Sequence, residues 1–319
     1  MARAAYRLRS ESKISLSGTP IENTVGDLWG QFNFLQPGLL GSRTEFEQRF
    51  LNPIEAGDYE RAKVLKRRVA PFILRRLKRD VARELPPKTE VVLECELSAD
   101  ERLAYDALLA ATRDELRRAG ERRGSPLTIL EALLRVRQAC CHRGLLPGLS
   151  AESSSKVDLL LESLRASCEL GHRALVFSQW TSLLDLVEPH LTEAGLSFSR
   201  IDGSTADRES VVGEFQRPDG PNVMLLSLKA GGLGLTLTAA DHVYILDPWW
   251  NPAAEDQAAD RAYRIGQENP VVVHRLVARD TIEERVLVLQ ERKRGLLRDA
   301  VGDRTEVSLS HTDIEELLS

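Results

Sequence analysis

Short apolar runs alternate with amphipathic segments over the second half of this 319-residue chain. The runs occupy residues 173–178 (RALVFS), 223–228 (VMLLSL), 242–247 (HVYILD) and 271–278 (VVVHRLVA). Each is expected to form a buried strand, and the segments between them have helical spacing. Strands joined by crossover helices form a parallel sheet that is covered on both faces. The pattern therefore predicts an α/β fold for residues 151–280.

The residues before this sheet have a different pattern. Residues 37–150 are mostly helical by periodicity, with a stiff break at the sequence LPPK, residues 85–88, followed by one strand. Residues 1–36 are expected to be the end of a larger domain, with a helix, a strand, a turn and a second helix predicted over residues 8–36. Residues 281–319 predict a closing helix with a Thr281/Glu284 capping box and a tail. Four regions are thus predicted, with boundaries after residues 36, 150 and 280. Further helix starts are predicted by a Ser98/Glu101 capping box and by Asn251 as the cap before Pro252.

Composition limits the partners and the compartment. There is no uncharged apolar run long enough to span a membrane and no secretory signal, so the four cysteines are expected to be reduced thiols in a cytoplasm. The net charge of −5 argues weakly against nucleic acid. However, residues 61–88 hold eleven Lys/Arg and two Asp/Glu. Such a run either recruits phosphates or forms a solvated helix face, and charge alone leaves both open.

The usual signatures of a nucleotide site are missing from the sequence. It contains no GxxxxGK[ST] loop and no acidic pair at a strand end that would hold Mg²⁺. The glycine-rich segment KAGGLGLTL, residues 229–237, has its lysine before its glycines. These 319 residues are therefore expected to bind ATP weakly by themselves. The adjacent cysteines of ACCH, residues 139–142, lack the spacing of zinc ligands, so no metal site is predicted there.

One polar stretch, EDQAADRAYRIGQ, residues 255–267, contains candidates for chemistry. Gln257, Arg261 and Arg264 are spaced i, i+4 and i+7, which places them on one stripe if the segment is helical. Two arginines and a glutamine on one stripe favour a shared ligand. The alternative is a solvated helix with surface pairs such as Asp260–Arg264.

Six blocks in order carry a family resemblance. They are LSGTPIENTVGDLWGQFNFLQPGLLGS, APFILRRLKRDVARELPPK, RALVFSQW, RIDGST, LLSLKAGGLGLTLTAADHVYILDPWWNP and DQAADRAYRIGQ. Together they resemble the C-terminal half of the SWI/SNF-type DNA translocases, within helicase superfamily two. The resemblance implies a second RecA-like lobe, helical insertions and the end of a first RecA-like lobe. In that family the two lobes clamp ATP between them and grip duplex DNA.

The resemblance assigns roles to residues of the ATP site. Arg261 and Arg264 would be arginine fingers that face the γ-phosphate, and Gln257 would orient them or contact the nucleotide. Gly232 and Gly234 would approach the nucleotide, although a tight turn is the alternative role. Ser17, Gly18 and Thr19 would couple the ATP site to DNA movement, or form an ordinary turn. The Mg²⁺ ligands would belong to the first lobe.

Other residues are expected at the DNA by resemblance. Ser178, Gln179, Gly203 and Ser204 follow strands of the second lobe and would contact backbone phosphates. Turn formation or helix capping by Ser204 or Thr205 is the alternative. Lys229 is a further candidate phosphate contact. Of the two adjacent tryptophans, one is expected in the core and the other against DNA, with the family pattern favouring Trp250.

The resulting prediction is the C-terminal motor half of an ATP-dependent double-stranded DNA translocase that remodels DNA-bound protein. Its partners would be duplex DNA and a first lobe in cis or in trans, with ATP and Mg²⁺ as cofactors, in a cytoplasm and at the nucleoid if bacterial. Met1 falls just before SGTP, so a split gene, an incorrectly assigned start or a fragment is expected. Two alternatives stay open, a non-catalytic DNA-binding module and an RNA-directed helicase lobe.

Overall fold

The computed structural model describes residues 6–8, 10–16, 25–74, 76, 78, 82, 84–122, 126–228, 234–300 and 311–318. The chain divides into two compact units. The helical unit comprises Met1–Leu77, Trp250–Ala253 and Val288–Ser310. The sheet unit comprises Lys78–Trp249, Ala254–Leu287 and His311–Ser319.

The helical unit is built from short helices around an aromatic core. They are α1 (Val25–Leu35), α2 (Arg43–Phe46), a π-helix (Glu47–Leu51), α3 (Asn52–Glu55), α4 (Tyr59–Val69) and a 3₁₀ turn (Ala70–Phe72). Leu28, Phe46, Phe50 and Leu65 are buried together. Helix α1 matches the periodicity of its sequence. The helix and the strand predicted ahead of it are wrong for the described residues 8 and 10–16, which form neither, and residues 17–20 lie outside the described residues.

A six-stranded sheet forms the centre of the sheet unit. The strands are β1 (Lys88–Cys95), β2 (Ala174–Ser178), β3 (Phe198–Ile201), β4 (Val223–Ser227), β5 (His242–Ile245) and β6 (Val271–Ala278). Their order is β1-β6-β5-β2-β4-β3, and all neighbours are parallel. Every residue of β2 and β4 is buried. The parallel α/β sheet predicted from the apolar runs is confirmed.

Helices cover both faces of this sheet. The helices of this part of the chain are α5 (Ala99–Arg122), α6 (Pro126–Cys141), α7 (Ser155–Glu169), α8 (Thr181–Glu193), α9 (Arg208–Phe215) and α10 (Pro252–Ala259). Alternate residues of β2 belong to two different cores. Leu175 packs in the core that includes α9 and α10, whereas Val176 packs in the core that includes α7 and α8. This alternation follows from the two-residue period of a strand.

The strand β1 pairs with a strand that is distant from it in sequence. The sequence places residues 88–95 in the helical insertion region, but β1 pairs along its whole length with β6, Lys88 opposite Val271 and Cys95 opposite Ala278. The strand is therefore part of the main sheet. The four predicted region boundaries stay predictions.

The helix caps confirm some local predictions and correct others. At α5, the Ser98 N–H donates to Glu101 and the Glu101 N–H donates to the Ser98 hydroxyl, as the capping box predicts. At α11 (Ile282–Ala300), the Thr281 hydroxyl accepts from the N–H of Glu283, one residue before the predicted Glu284. A further helix, α12 (His311–Leu318), follows the predicted closing helix. None of the described helices combines the length and apolar character needed to cross a bilayer.

Candidate functional site

The arginine segment, Asp260–Gln267, follows α10. The sequence predicts a helix for this segment, but the structure has none there. Helix α10 ends at Ala259, and turns follow that include Gly266 at φ +99°. The carbonyl of Arg261 accepts the N–H of Leu237, so a tertiary backbone bond replaces helix continuation. Gln257, half-buried on α10, therefore does not share a helical stripe with Arg261 and Arg264. The predicted stripe is wrong, although both arginines lie in one compact segment.

Both arginines of this segment point at the end of the glycine loop, residues 229–237, of which 234–237 are described. Nη1 of Arg264 donates to the carbonyl oxygens of Gly234 at 3.0 Å and Leu235 at 3.1 Å. Nη1 of Arg261 makes a longer 3.5 Å contact with the Leu235 carbonyl. Gly234 has φ +73°, a left-handed conformation that favours glycine. Two guanidinium groups thus converge on one short loop.

Arg261 is the more buried of the two arginines. Its side chain is 7% exposed, and its Nε has no hydrogen-bond partner among the described residues. Burial and the nearby charge of Arg264 lower the pKa of Arg261. The guanidinium nevertheless stays charged at neutral pH, because the ordinary arginine pKa exceeds 12. An unsatisfied buried donor costs stability unless a ligand, an ion or a water accepts from it.

Gln267, which the sequence did not single out, holds the arginine segment in place. It is 6% exposed. Its Nε2 donates to the carbonyls of Thr238, Ala240 and Ala262, and its Oε1 accepts from the N–H groups of Glu268 and Asn269. A single amide therefore ties the segment to the end of the glycine loop. Its position at the end of the DQAADRAYRIGQ block is the sequence signal that could have identified it.

Asp260 pairs with Lys78 and not with Arg264. The solvated-helix alternative pairs Asp260 with Arg264. In the structure the Asp260 carboxylate lies 2.9 Å from Nζ of Lys78, which also donates to the Tyr263 carbonyl at 2.7 Å. Within the described ranges, neither arginine of the segment forms an ion pair. The surface pair is therefore not formed.

Glu255 anchors the helix that leads into the arginine segment. Its carboxylate is buried and accepts the Nε–H of Arg275 at 2.7 Å and the N–H of Trp249 at 2.7 Å. Arg275, on β6, also pairs with Glu90 on β1 at 2.7 Å. This buried chain of charges fixes α10 against the sheet. Glu255 could not be singled out from the sequence, since a lone acid on a polar helix resembles a solvated residue.

The carboxyl end of β2 holds two of the predicted DNA contacts. Ser178 is fully buried, and its hydroxyl accepts from the Trp180 N–H and hydrogen-bonds Asp247. Ser178 therefore has no exposed group that could contact a phosphate, which corrects the DNA contact predicted for this residue. Gln179 donates its backbone N–H to both Asp247 oxygens, and its Nε2 has no partner in the described part of the chain. Burial raises the pKa of Asp247 to about 7.

The turn after β3 presents the other two predicted contacts. Gly203 and Ser204 are exposed. The Asp202 carboxylate accepts the N–H and the hydroxyl of Ser204, and these bonds lower the pKa of Asp202. Neither Ser204 nor Thr205 caps α9, because Asp207 accepts the Ser210 N–H there. The capping alternative for this turn is wrong.

The two adjacent tryptophans belong to different units. Trp249 lies in the sheet unit, where the buried guanidinium of Arg137 sits 4.9 Å from its ring and 5.1 Å from the ring of Trp180. Nη2 of Arg137 donates to the Pro248 carbonyl at 2.7 Å. Trp250 is half-buried in the helical unit. Trp249, which is also half-buried, packs against Arg137, and the DNA role of Trp250 stays a prediction.

Several predicted site residues lie outside the described residues. They are Ser17, Gly18, Thr19, Lys229 and Gly232. Their coupling, phosphate-binding and nucleotide-binding roles stay predictions. The described candidates Gln179, Gly203, Ser204 and Gly234 all follow the carboxyl ends of parallel strands, where open α/β sheets bind ligands.

The chain resembles known proteins over its whole length. Residues 1–145 match the SNF2-related domain, and residues 155–266 match the helicase conserved C-terminal domain. Protein CHROMATIN REMODELING 4 of Arabidopsis thaliana is 39% identical over 300 residues, which cover 89% of this chain and 13% of that protein. YwqA of Bacillus subtilis (strain 168) is 39% identical over 330 residues, which cover all of this chain and 36% of that protein.

A solved structure shares the fold. The Sulfolobus solfataricus SWI2/SNF2 ATPase core in complex with dsDNA is 33% identical with a TM-score of 0.57, covering 94% of this chain and 65% of that chain. The sheet and the loops at its carboxyl edge therefore define a RecA-like helicase lobe, preceded by the tail of an SNF2-related domain. The chain belongs to the SNF2-related family, with an SNF2-related domain followed by a helicase conserved C-terminal domain. It spans about a third or less of the length of the two curated relatives.

Proposed function

We propose that this chain supplies the C-terminal motor half of an ATP-dependent double-stranded DNA translocase that remodels DNA-bound protein. The observation that carries the proposal is the convergence of Arg261 and Arg264 on the end of the glycine loop, with the Nε of Arg261 buried and unsatisfied among the described residues. Neither guanidinium is consumed by an ion pair within those residues. Both charges are therefore available to an anion at the carboxyl edge of the sheet.

ATP fits this arrangement chemically. Phosphoryl transfer spreads negative charge over the equatorial oxygens, and a planar, permanently charged guanidinium stabilises that charge. Both hydrogen bonds described for Arg264 leave from Nη1, so the rest of its fork is not committed to these carbonyls. Gly232, Gly234 and Gln257 would contact the nucleotide. No Mg²⁺ ligand is assigned to this chain, and the ion would be held by a phosphate-binding lobe in cis or in trans.

Duplex DNA would bind along the turns after β2 and β3. Gln179 offers its side-chain amide and Gly203 its backbone N–H, groups that suit phosphate oxygens and do not read bases. Ser204 would have to transfer its hydroxyl from the Asp202 carboxylate to a phosphate. The relative from Sulfolobus solfataricus was solved with dsDNA, which supports this partner. Lys229 and Trp250 complete the proposed surface. Because the hydroxyl of Ser178 is buried, Ser178 would act by holding this turn in shape.

The arginine fingers are tested by substitution in a complemented motor. The chain is combined with a first lobe that carries the phosphate loop, and duplex-stimulated ATP hydrolysis and duplex binding are measured. Arg264→Ala and Arg261→Ala should each lower hydrolysis by about 10³-fold or more with DNA affinity nearly unchanged. Arg217→Ala, an exposed arginine after α9, is the matched control and should hydrolyse normally. Equal losses of hydrolysis and DNA binding in the finger variants would refute the assignment.

The chain by itself is inferred to hydrolyse no ATP, because its 319 residues contain no GxxxxGK[ST] loop. Adding the first lobe should restore duplex-stimulated turnover. Substantial hydrolysis by the chain alone would overturn the inference. Binding of single-stranded RNA in preference to duplex DNA, compared over a salt series, would favour an RNA-directed motor instead.

A further inference from the structure

Two histidines and an aspartate meet at the amino-terminal ends of β2 and β5. His172 Nδ1 lies 2.8 Å from Asp241 Oδ2, and His242 Nδ1 lies 3.1 Å from Asp241 Oδ1. One ligand atom from each of the three residues lies within 4.8 Å of the others. The carboxylate is therefore bracketed by two imidazole nitrogens, one on each oxygen.

The backbone holds these three side chains in place. The N–H groups of Asp241 and His242 both donate to the Arg173 carbonyl at 3.2 Å, and the His172 N–H donates to Ser167 at the end of α7 at 3.1 Å. Asp241 is 3% exposed, whereas the His172 side chain is 39% exposed. The cluster thus has a rigid base and one side open to solvent.

Neighbouring rings restrict His242 further. Its ring centroid lies 4.7 Å from that of His172 and 5.3 Å from that of His274. The rings of His274 and Tyr244 stack with their centroids 4.5 Å apart. The Tyr244 hydroxyl is in turn hydrogen-bonded to Ser163 and Ser167 of α7. Such packing limits the rotation of His242 and keeps its Nδ1 on the carboxylate side, as partners around a ligand usually do.

We propose that His172, Asp241 and His242 form a binding site for a divalent transition-metal ion of the zinc class. Imidazole nitrogen with carboxylate oxygen suits Zn²⁺, Co²⁺, Ni²⁺ and Cu²⁺, whereas Mg²⁺ and Ca²⁺ prefer oxygen ligands alone. The ion takes the place of the two Nδ1 protons, and each neutral imidazole carries its proton on Nε2. Ligand distances of about 2.0–2.1 Å place tetrahedral ligand atoms roughly 3.3 Å apart, so the two imidazole nitrogens would move toward each other and slightly away from the carboxylate, with water at the fourth position.

The site lies away from the proposed ATP and DNA residues. Those residues follow the carboxyl ends of the strands, whereas His172 and His242 lie at the amino ends of β2 and β5. An ion here would join the turn after α7 to the start of β5. It would therefore stabilise the sheet unit without entering the proposed reaction, and the inference does not depend on the proposed function.

The test uses the full chain without a histidine tag, after treatment with a chelator. Titration calorimetry with ZnCl₂ should show one ion per chain, CoCl₂ should give the visible absorption of nitrogen-coordinated Co²⁺, and MgCl₂ should show no binding. Zinc should also raise the melting temperature, because it binds only the folded state. His172→Gln, which changes a partly exposed side chain, and His242→Gln should each weaken zinc binding at least tenfold. His190→Gln changes a histidine on α8 and is the matched control.

Cys168 provides a second check. Its thiol has a pKa raised by burial and by the charge of Asp241, but Cys168 is not one of the three residues whose ligand atoms come together. Cys168→Ser should leave zinc binding in place. Unchanged zinc affinity in His172→Gln and His242→Gln, or loss of binding in Cys168→Ser alone, would overturn the assignment. Melting of the metal-free variants confirms that each one is folded.

Discussion

Nζ of Lys78 donates a 2.7 Å hydrogen bond to the carbonyl of Tyr263, which lies between the two arginines of the arginine segment. The same ammonium pairs with Asp260 at 2.9 Å and faces the Tyr263 ring at 5.7 Å. Lys78 comes from the basic run that charge alone could not interpret. At least this residue of the run stabilises the fold of the arginine segment and is not simply a solvated charge.

Lys78→Met should therefore destabilise the sheet unit by about 1 kcal/mol, since a charge-assisted bond is lost but the side chain is partly exposed to solvent. Urea unfolding measures the change. Lys63→Met removes an exposed lysine that pairs with Glu60 and should be nearly neutral. Equal effects of the two substitutions would contradict the special position of Lys78.

Gln267→Ala should destabilise the sheet unit by about 2–3 kcal/mol, because buried carbonyls of Thr238, Ala240 and Ala262 lose their donor. Thermal unfolding and urea unfolding measure this loss. Gln267→Glu keeps the shape and the acceptor oxygen but replaces the donor by a carboxylate, so it should be at least as destabilising. Rescue by Gln267→Glu would show that the donor bonds are not what matters.

Glu255→Gln should cost about 3 kcal/mol, because Arg275 stays buried with only Glu90 as an ionic partner. The chain contains a matched control in the exposed pair Arg43–Glu47. Glu47→Gln should change the unfolding free energy by about 0.5 kcal/mol or less. Comparable losses from the two substitutions would mean that burial of the Glu255 pair adds nothing.

Asp247 should make stability depend on pH. Burial raises its folded pKa to about 7 from an ordinary value of 3.8. A raised folded pKa means that stability from this group is complete below about pH 4 and is lost as the pH rises through 7, by up to about 4 kcal/mol. Denaturant unfolding at pH 5, 6, 7 and 8 should show this decline relative to Asp247→Asn. If the unfolding free energies of the wild type and Asp247→Asn change with pH in parallel, the role of Asp247 is refuted.

The sequence predicted the sheet because strands buried on both faces are apolar throughout, as in β2 and β4. It also predicted α1 and the caps at Ser98 and Asn251, where Asn251 Oδ1 accepts the Ala253 N–H. These features depend on neighbouring residues alone. They can therefore be predicted from the local sequence without knowledge of the rest of the fold.

Other features depend on contacts distant in sequence. Helix α10 ends early because the Arg261 carbonyl bonds Leu237, and no local signal marks that bond. The buried Ser178 hydroxyl bonds Asp247, about 70 residues away. His172 and His242 become neighbours only when β2 and β5 pair. Periodicity describes one element at a time, so it could not predict these relationships.

Because β1 pairs with β6, the sheet extends beyond residues 155–266, which match the helicase conserved C-terminal domain. A chain cut to begin at residue 155 would keep the helicase conserved C-terminal domain but lose β1. All eight residues of β6 would then present an unpaired, largely apolar edge. Exposed strand edges recruit other chains, so such a truncated protein should self-associate, and soluble production of this lobe should require residues 88–95.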